Sequence, residues 1–209
     1  MTDDEGVIKY HLQFQSGPAP DARLIRELNA WRNILYSLRM LGRDKHRYGG
    51  YDYGNVSRRC QQGSNQFIIS GTQTAHIAQA SAQHYVLVKE CDPFNNKLTA
   101  EGLVKPSSEA LTHGAVYEAD SGIQFVFHVH CPPIWNNAAV LQVPGTAENI
   151  SYGTPEMAQQ IQRLISNPGV KNGLIIKMTG HEDGIISFGE TAEQAGITLI
   201  KYLSRALQI

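Results

Sequence analysis

Residues 105–132, KPSSEALTHGAVYEADSGIQFVFHVHCP, hold the pattern from which the rest of the chain is read. Proline is tolerated in a first helical turn and serine caps well, so a helix is predicted from Pro106 or Ser107. Unpaired amides at such a start, together with the positive end of the helix dipole, form an anion site. Glu109 falls in that first turn, either as a favourable capping carboxylate or as a reactive group, and His113 lies one turn further on the same side. The closing FVFHVH reads as the end of a buried strand. Alternation on a strand puts His128 and His130 on one face and leaves Phe127 and Val129 for the other. Two imidazoles so placed suit a divalent transition metal at about 2.0–2.1 Å from each nitrogen, although packed or solvated histidines give the same pattern. Cys131 leaves by the opposite face and is not taken as a ligand.

Upstream, residues 7–15 alternate as an early strand that Ser16–Pro20 breaks. Leu24, Ile25, Leu28, Trp31, Leu35 and Leu38 have helical spacing, with Asp21 as cap and Gly42 placed to close the helix in a left-handed turn. In RYGGYDYGNVSRR, residues 47–59, Gly54-Asn55 reads as a tight turn in a polar segment. Its amides and the Asn55 side chain could hold an anion, or it is simply a hairpin turn. QFIIS, residues 66–70, is a short strand running into Ser70-Gly71-Thr72, a second small-residue loop at a strand end, where α/β proteins commonly place ligands. Strands follow at 85–91 and 97–100. Downstream, residues 134–151 show little periodicity and read as loop with a short strand. A helix is predicted over 156–165, ended by Asn167-Pro168-Gly169. Strands are predicted at 173–178 and at IISFG, separated by the turn-rich Thr179–Gly184, and a last amphipathic helix over 190–207. Strands alternating with helices indicate an α/β layered domain.

The totals set bounds. With 209 residues the chain is one domain, 1–209, in which residues 1–20 form an N-terminal extension. A hydrophobic share of 42% and a charged share of 18% describe an ordinary soluble protein, and a net charge of −1 gives no reason to expect nucleic acid or an anionic membrane as partner. The opening MTDDEGVIKY lacks the basic and apolar regions of a secretory signal. An odd count of 3 cysteines without CxxC spacing favours reduced thiols and a cytoplasmic location.

GNVSRR, FIISGT, KPSSE, HVH, YGTPE and GHEDGIISFG occur in the order found in the class II aldolase and adducin-head family, and over roughly residues 24–207 the chain resembles its members. The resemblance implies a three-layer α/β/α fold with a central, largely antiparallel sheet, and a four-fold homotetramer with active sites at subunit contacts. Carried over by position, it implies a metal site of Glu109, His128, His130 and His181, with zinc as the cofactor and Co2+, Mn2+ or Fe2+ as alternatives. It also implies a phosphate cradle of Gly54, Asn55, Ser70, Gly71, Ser107 and Ser108. The activity implied is a metal-dependent carbon–carbon lyase acting on a small hydroxy-carbonyl or sugar-phosphate substrate through a metal-stabilised enediolate, with Glu109 as the catalytic proton carrier. Sugar-phosphate epimerase, dehydratase or decarboxylase chemistry on the same site is the alternative, as is a non-catalytic adducin-like interaction module. Two departures stand out. Glu182 and Asp183 separate His181 from Gly184 where the aldolases commonly pass straight from histidine to glycine. Asp52 stands where the sugar-phosphate enzymes tend to carry a small hydroxyl residue, and a carboxylate beside a phosphate is repulsive unless it turns away. The segment between HVH and YGTPE is short, and no catalytic tyrosine is assigned.

Overall fold

The predicted histidine strand is β8 (Phe125–His130), and in this computed structural model every one of its residues is buried. Residues 7–167, 169–170 and 174–209 are described; Pro168, Gly173 and residues 1–6, on which parts of the readings above fall, lie outside them. An eight-stranded sheet runs in the order β1 (His11–Ser16), β7 (Lys97–Gly102), β6 (Tyr85–Asp92), β5 (Phe67–Ser70), β4 (Asn55–Arg59), β8, β10 (Gly184–Gly189) and β9 (Ile175–Lys177). All pairings are antiparallel except that of β1 with β7. The short β2 (Gly42–Arg43) and β3 (Asp52–Tyr53) make a separate antiparallel pair.

Helices cover both faces of the sheet. Alternate strand residues divide between two apolar clusters, as period-two geometry requires. Val126, Ile186 and Phe188 join the side chains of α2 (Ala110–Ala119) and α4 (Pro155–Ile165). Phe125, Phe127, Val129 and Ile185 join those of α1 (Ala22–Ser37), the short α3 (Pro132–Asn136) and α5 (Ala192–Ala206). The fold is therefore the expected α/β/α sandwich. No helix among the described residues is long and apolar enough to cross a membrane.

Four local readings are corrected. The left-handed residue closing α1 is Arg39, φ 56°, not Gly42: Arg39 N–H donates to Tyr36 O and Met40 N–H to Leu35 O, a Schellman arrangement. The polar segment that follows Gly54, where no strand was expected, is β4, near the middle of the sheet. Its polar residues are satisfied inside, because Arg59 donates to the carbonyls of Ile123, Tyr117 and Asp120 at 2.8, 2.7 and 2.9 Å. Residues after His130 open with helix α3 where loop was expected. Finally α2 starts at Ala110: Pro106 bridges Gly71 as a strand residue, and Ser107–Glu109 form the turn leading into the helix.

Candidate metal and substrate site

β8 delivers His128 and His130 to the α2 side of the sheet. β10 pairs with it so that Gly184 lies opposite His130. A Cβ at Gly184 would come within 2.6 Å of the His181 ring, so glycine there makes the space that His181 fills. The turn before it is pinned by Cys131 N–H donating to Asp183 O at 2.8 Å. Donor atoms of His128, His130 and His181 consequently lie within 4.8 Å of one another, all buried. The Nε2 atoms of His130 and His181 are 3.1 Å apart. The Glu109 carboxylate reaches the same place from the turn before α2, with Oε1 3.7 Å from His181 Nε2. The four residues implied by the resemblance, more than 70 positions apart at the extremes, are thus brought together.

Burial governs the electrostatics. Desolvation pushes the His128 and His130 imidazoles well below their ordinary 6.5, and the neighbouring rings add to it. His181 falls to about 3, through burial and then the charge of Lys9. Glu109 is pushed up to about 7 by burial, opposed by the hydrogen bond from Thr112 Oγ1 to Oε2 (2.9 Å) and by Lys9. Neutral imidazoles with lone pairs turned inward are the form that metals bind. Glu109 Oε1 and His128 Nε2 are buried without a hydrogen-bond partner, and such atoms are costly unless something satisfies them. The donor set fits a divalent cation. On the other nitrogen of His128, Asn55 approaches Nδ1 at 3.2 Å from the facing position of β4, and an outer-shell partner of this kind fixes a ring's orientation.

Beside the histidines lies a cavity of about 20 Å³ lined by Gly54, Asn55, Gly71, Ser107 and Ser108 together with Asp52, Thr72, Gln73 and Ala75. Gly54, at φ 77°, holds a turn that a side chain would strain, and a Cβ there would meet Leu41 at 2.6 Å. Ser70 is absent from the lining; its hydroxyl accepts from Val56 N–H at 3.1 Å and ties β4 to β5.

A sequence profile of the class II aldolase and adducin N-terminal domain matches residues 34–209. The chain belongs to this family. No curated protein matches it. Among solved structures, YgbL from Escherichia coli, an aldolase/epimerase/decarboxylase candidate, superimposes with a TM-score of 0.67 at 14% identity, covering 90% of this chain and 88% of that one. The sugar-phosphate aldolase from Thermotoga maritima gives 0.62 at 15% identity over 89% and 94%. L-fuculose-1-phosphate aldolase from Thermus thermophilus gives 0.56 at 19% identity over 90% of each chain. At these identities the likeness carries the fold.

Several neighbours of this site are not marked by any residue pattern. Lys9 Nζ lies 3.9 Å from the centroid of the Tyr152 ring, which in turn sits 4.7 Å from the His181 ring. Lys9 precedes the family-matched residues and reads in sequence as one position of an alternating strand. Tyr48, φ 50°, packs edge-on to His130 at 4.4 Å between centroids and donates to Asp183 Oδ2 at 2.7 Å. Arg47 pairs with the same carboxylate, so Asp183, one of the two extra residues after His181, fastens the 47–48 turn over the site.

Proposed function

We propose that this chain is a divalent-metal-dependent lyase, with zinc the best-suited ion, that makes or breaks a carbon–carbon bond next to a carbonyl in a small hydroxy-carbonyl substrate. The observation that carries the reading is the convergence of three buried imidazoles and one buried carboxylate, His128, His130, His181 and Glu109. A divalent cation held by these residues would act as Lewis acid toward adjacent carbonyl and hydroxyl oxygens and so favour an enediolate.

The chain's own groups account for the rest. In cleavage the bond between the α carbon and the carbinol carbon breaks, its electron pair stays on the α carbon, and the carbinol hydroxyl passes its proton to the ionised Glu109 carboxylate as it becomes a carbonyl. The α carbon then needs a proton. Glu109 then carries that proton and returns it to the α carbon, a role supported by its Oε1 facing the imidazoles without a hydrogen-bond partner of its own. Thr112 holds one carboxylate oxygen and leaves the other facing the imidazoles. Burial of all four groups keeps bulk water away from the carbanion-like carbon.

Epimerase, dehydratase and decarboxylase chemistry would begin with the same handling of charge at the α carbon. The non-catalytic module is disfavoured by the presence of the whole donor set. A homotetramer, a cytoplasmic location and one domain spanning 1–209 with its N-terminal extension 1–20 complete the proposal; light scattering tests the first. The decisive experiment follows exchange of the α C–H of dihydroxyacetone or its phosphate into deuterated water with zinc-loaded protein. Wild type should exchange it, while Glu109→Gln should keep its metal and lose exchange. Equal exchange by the variant sinks the role given to Glu109.

A further inference from the structure

The cavity beside the histidines has a lining whose charge is of one sign. Among the described residues its lining contains no lysine, arginine or histidine, and the one charged residue there is Asp52. That carboxylate is held in place through both of its oxygens. The register of β2 with β3 sets Arg43 opposite Asp52, and Arg43 Nε donates to Oδ1 at 2.6 Å. His76 closes on Oδ2 through its backbone N–H at 3.1 Å and its ring Nδ1 at 2.7 Å. The Asp52 side chain is 2% exposed. Arg43 and His76 do not line this cavity; both line a separate hollow, with Arg39, Lys45 and His46. The Arg43 guanidinium thus pairs with the carboxylate without itself lining the cavity.

The neutral groups point the same way. Gln73 Oε1 accepts from Asp52 N–H at 3.2 Å, which fixes the orientation of the amide and leaves Nε2 as a buried donor without a partner. A hydroxyl group can accept from such a donor and give its own hydrogen to a carboxylate, whereas a phosphate dianion offers acceptors only.

We infer that this cavity receives an uncharged, hydroxyl-bearing end of the substrate, with Asp52 as the specificity-determining residue, and that the substrate class is an unphosphorylated hydroxy-carbonyl compound. This rests on the lyase reading for the identity of the reacting end, but the cavity's preference is measurable without turnover.

Two arms test it on the full chain. In the first, inorganic phosphate is titrated calorimetrically to about 10 mM, a range that reveals even a weak site. Wild type should give no binding, and Asp52→Ser or the isosteric Asp52→Asn, each checked for folding by thermal unfolding, should gain affinity by at least about tenfold as the repulsive charge is removed. Phosphate binding by wild type overturns the inference, even where neither variant folds. In the second arm, zinc-loaded protein is given dihydroxyacetone and dihydroxyacetone phosphate, and α C–H exchange into deuterated water is followed by NMR. The unphosphorylated ketone should exchange with a kcat/KM at least about tenfold higher, a factor set by the same charge. Faster exchange of the phosphate overturns the inference and leaves the lyase reading standing. Exchange of neither compound overturns the lyase reading, and the phosphate titration then decides the cavity's preference alone.

Discussion

Two groups of buried histidine lie on the same side of the sheet, and they differ in one respect. His113 on α2 and the His128–His130–His181 group are all within 5% of fully buried, and burial pushes every one of these imidazoles below its ordinary 6.5. His113, however, is bound into a chain of local hydrogen bonds: its Nδ1 meets Ser57 Oγ at 2.6 Å, and that hydroxyl meets Tyr117 OH at 2.7 Å. The other three bring donor atoms together from the end of β8 and the Thr179–Gly184 turn. Burial and a shifted pKa are thus common to both groups, and convergence alone separates a ligand set from a packed network.

The largest effect expected from breaking this contrast is on metal binding. His130→Ala or His181→Ala should weaken zinc binding by more than about 100-fold in calorimetry, since loss of even an outer-shell partner costs ~10–100-fold. Glu109→Gln should lower α C–H exchange by about 10²–10⁴, the usual worth of a positioned proton carrier, with metal content per chain unchanged.

A third effect joins the two groups. In metal-free protein each buried imidazole stays neutral in the folded state but binds a proton in the unfolded chain below about 6.5, so stability must fall as pH drops below that value. Each contributes about 1.4 kcal/mol per pH unit. Glu109 acts in the opposite sense: its folded value of about 7 lies above the ordinary 4.5, so it adds stability as pH falls through 7. The histidines outnumber it, and the net slope should be up to about 4 kcal/mol per pH unit. Urea unfolding between pH 7 and 5 measures it, and a flat profile would mean that the imidazoles are already charged when folded. The smallest effect sharpens the contrast from the other side. His113→Gln should cost about 1–3 kcal/mol of stability through the orphaned Ser57–Tyr117 pair, while leaving zinc affinity within about threefold, a range well below the loss of a ligand.

Much of this was legible in the chain because it followed short-range rules. FVFHVH announces its two faces by alternation, and α1 and α5 by their apolar spacing. GNVSRR escaped, since a central strand carrying Ser57 and Arg59 looks polar until the carbonyls that satisfy Arg59 are known. The helix start was placed too early because nothing local says that Pro106 will bridge Gly71. For the site, His128 and His130 come from spacing, but His181 and the role of Glu109 came from resemblance to the family. Lys9 and the His76–Asp52 contact are products of tertiary packing across long sequence separations, and no pattern in the chain encodes them.

One measurement bears on the whole reading: the anomalous scattering of a zinc-soaked crystal. A single peak should lie at about 2.0–2.1 Å from nitrogens of His128, His130 and His181, with Glu109 as the fourth neighbour. A crystal soaked in zinc that shows no peak among these side chains, or whose imidazoles each face a different direction around an ion bound elsewhere, would contradict it.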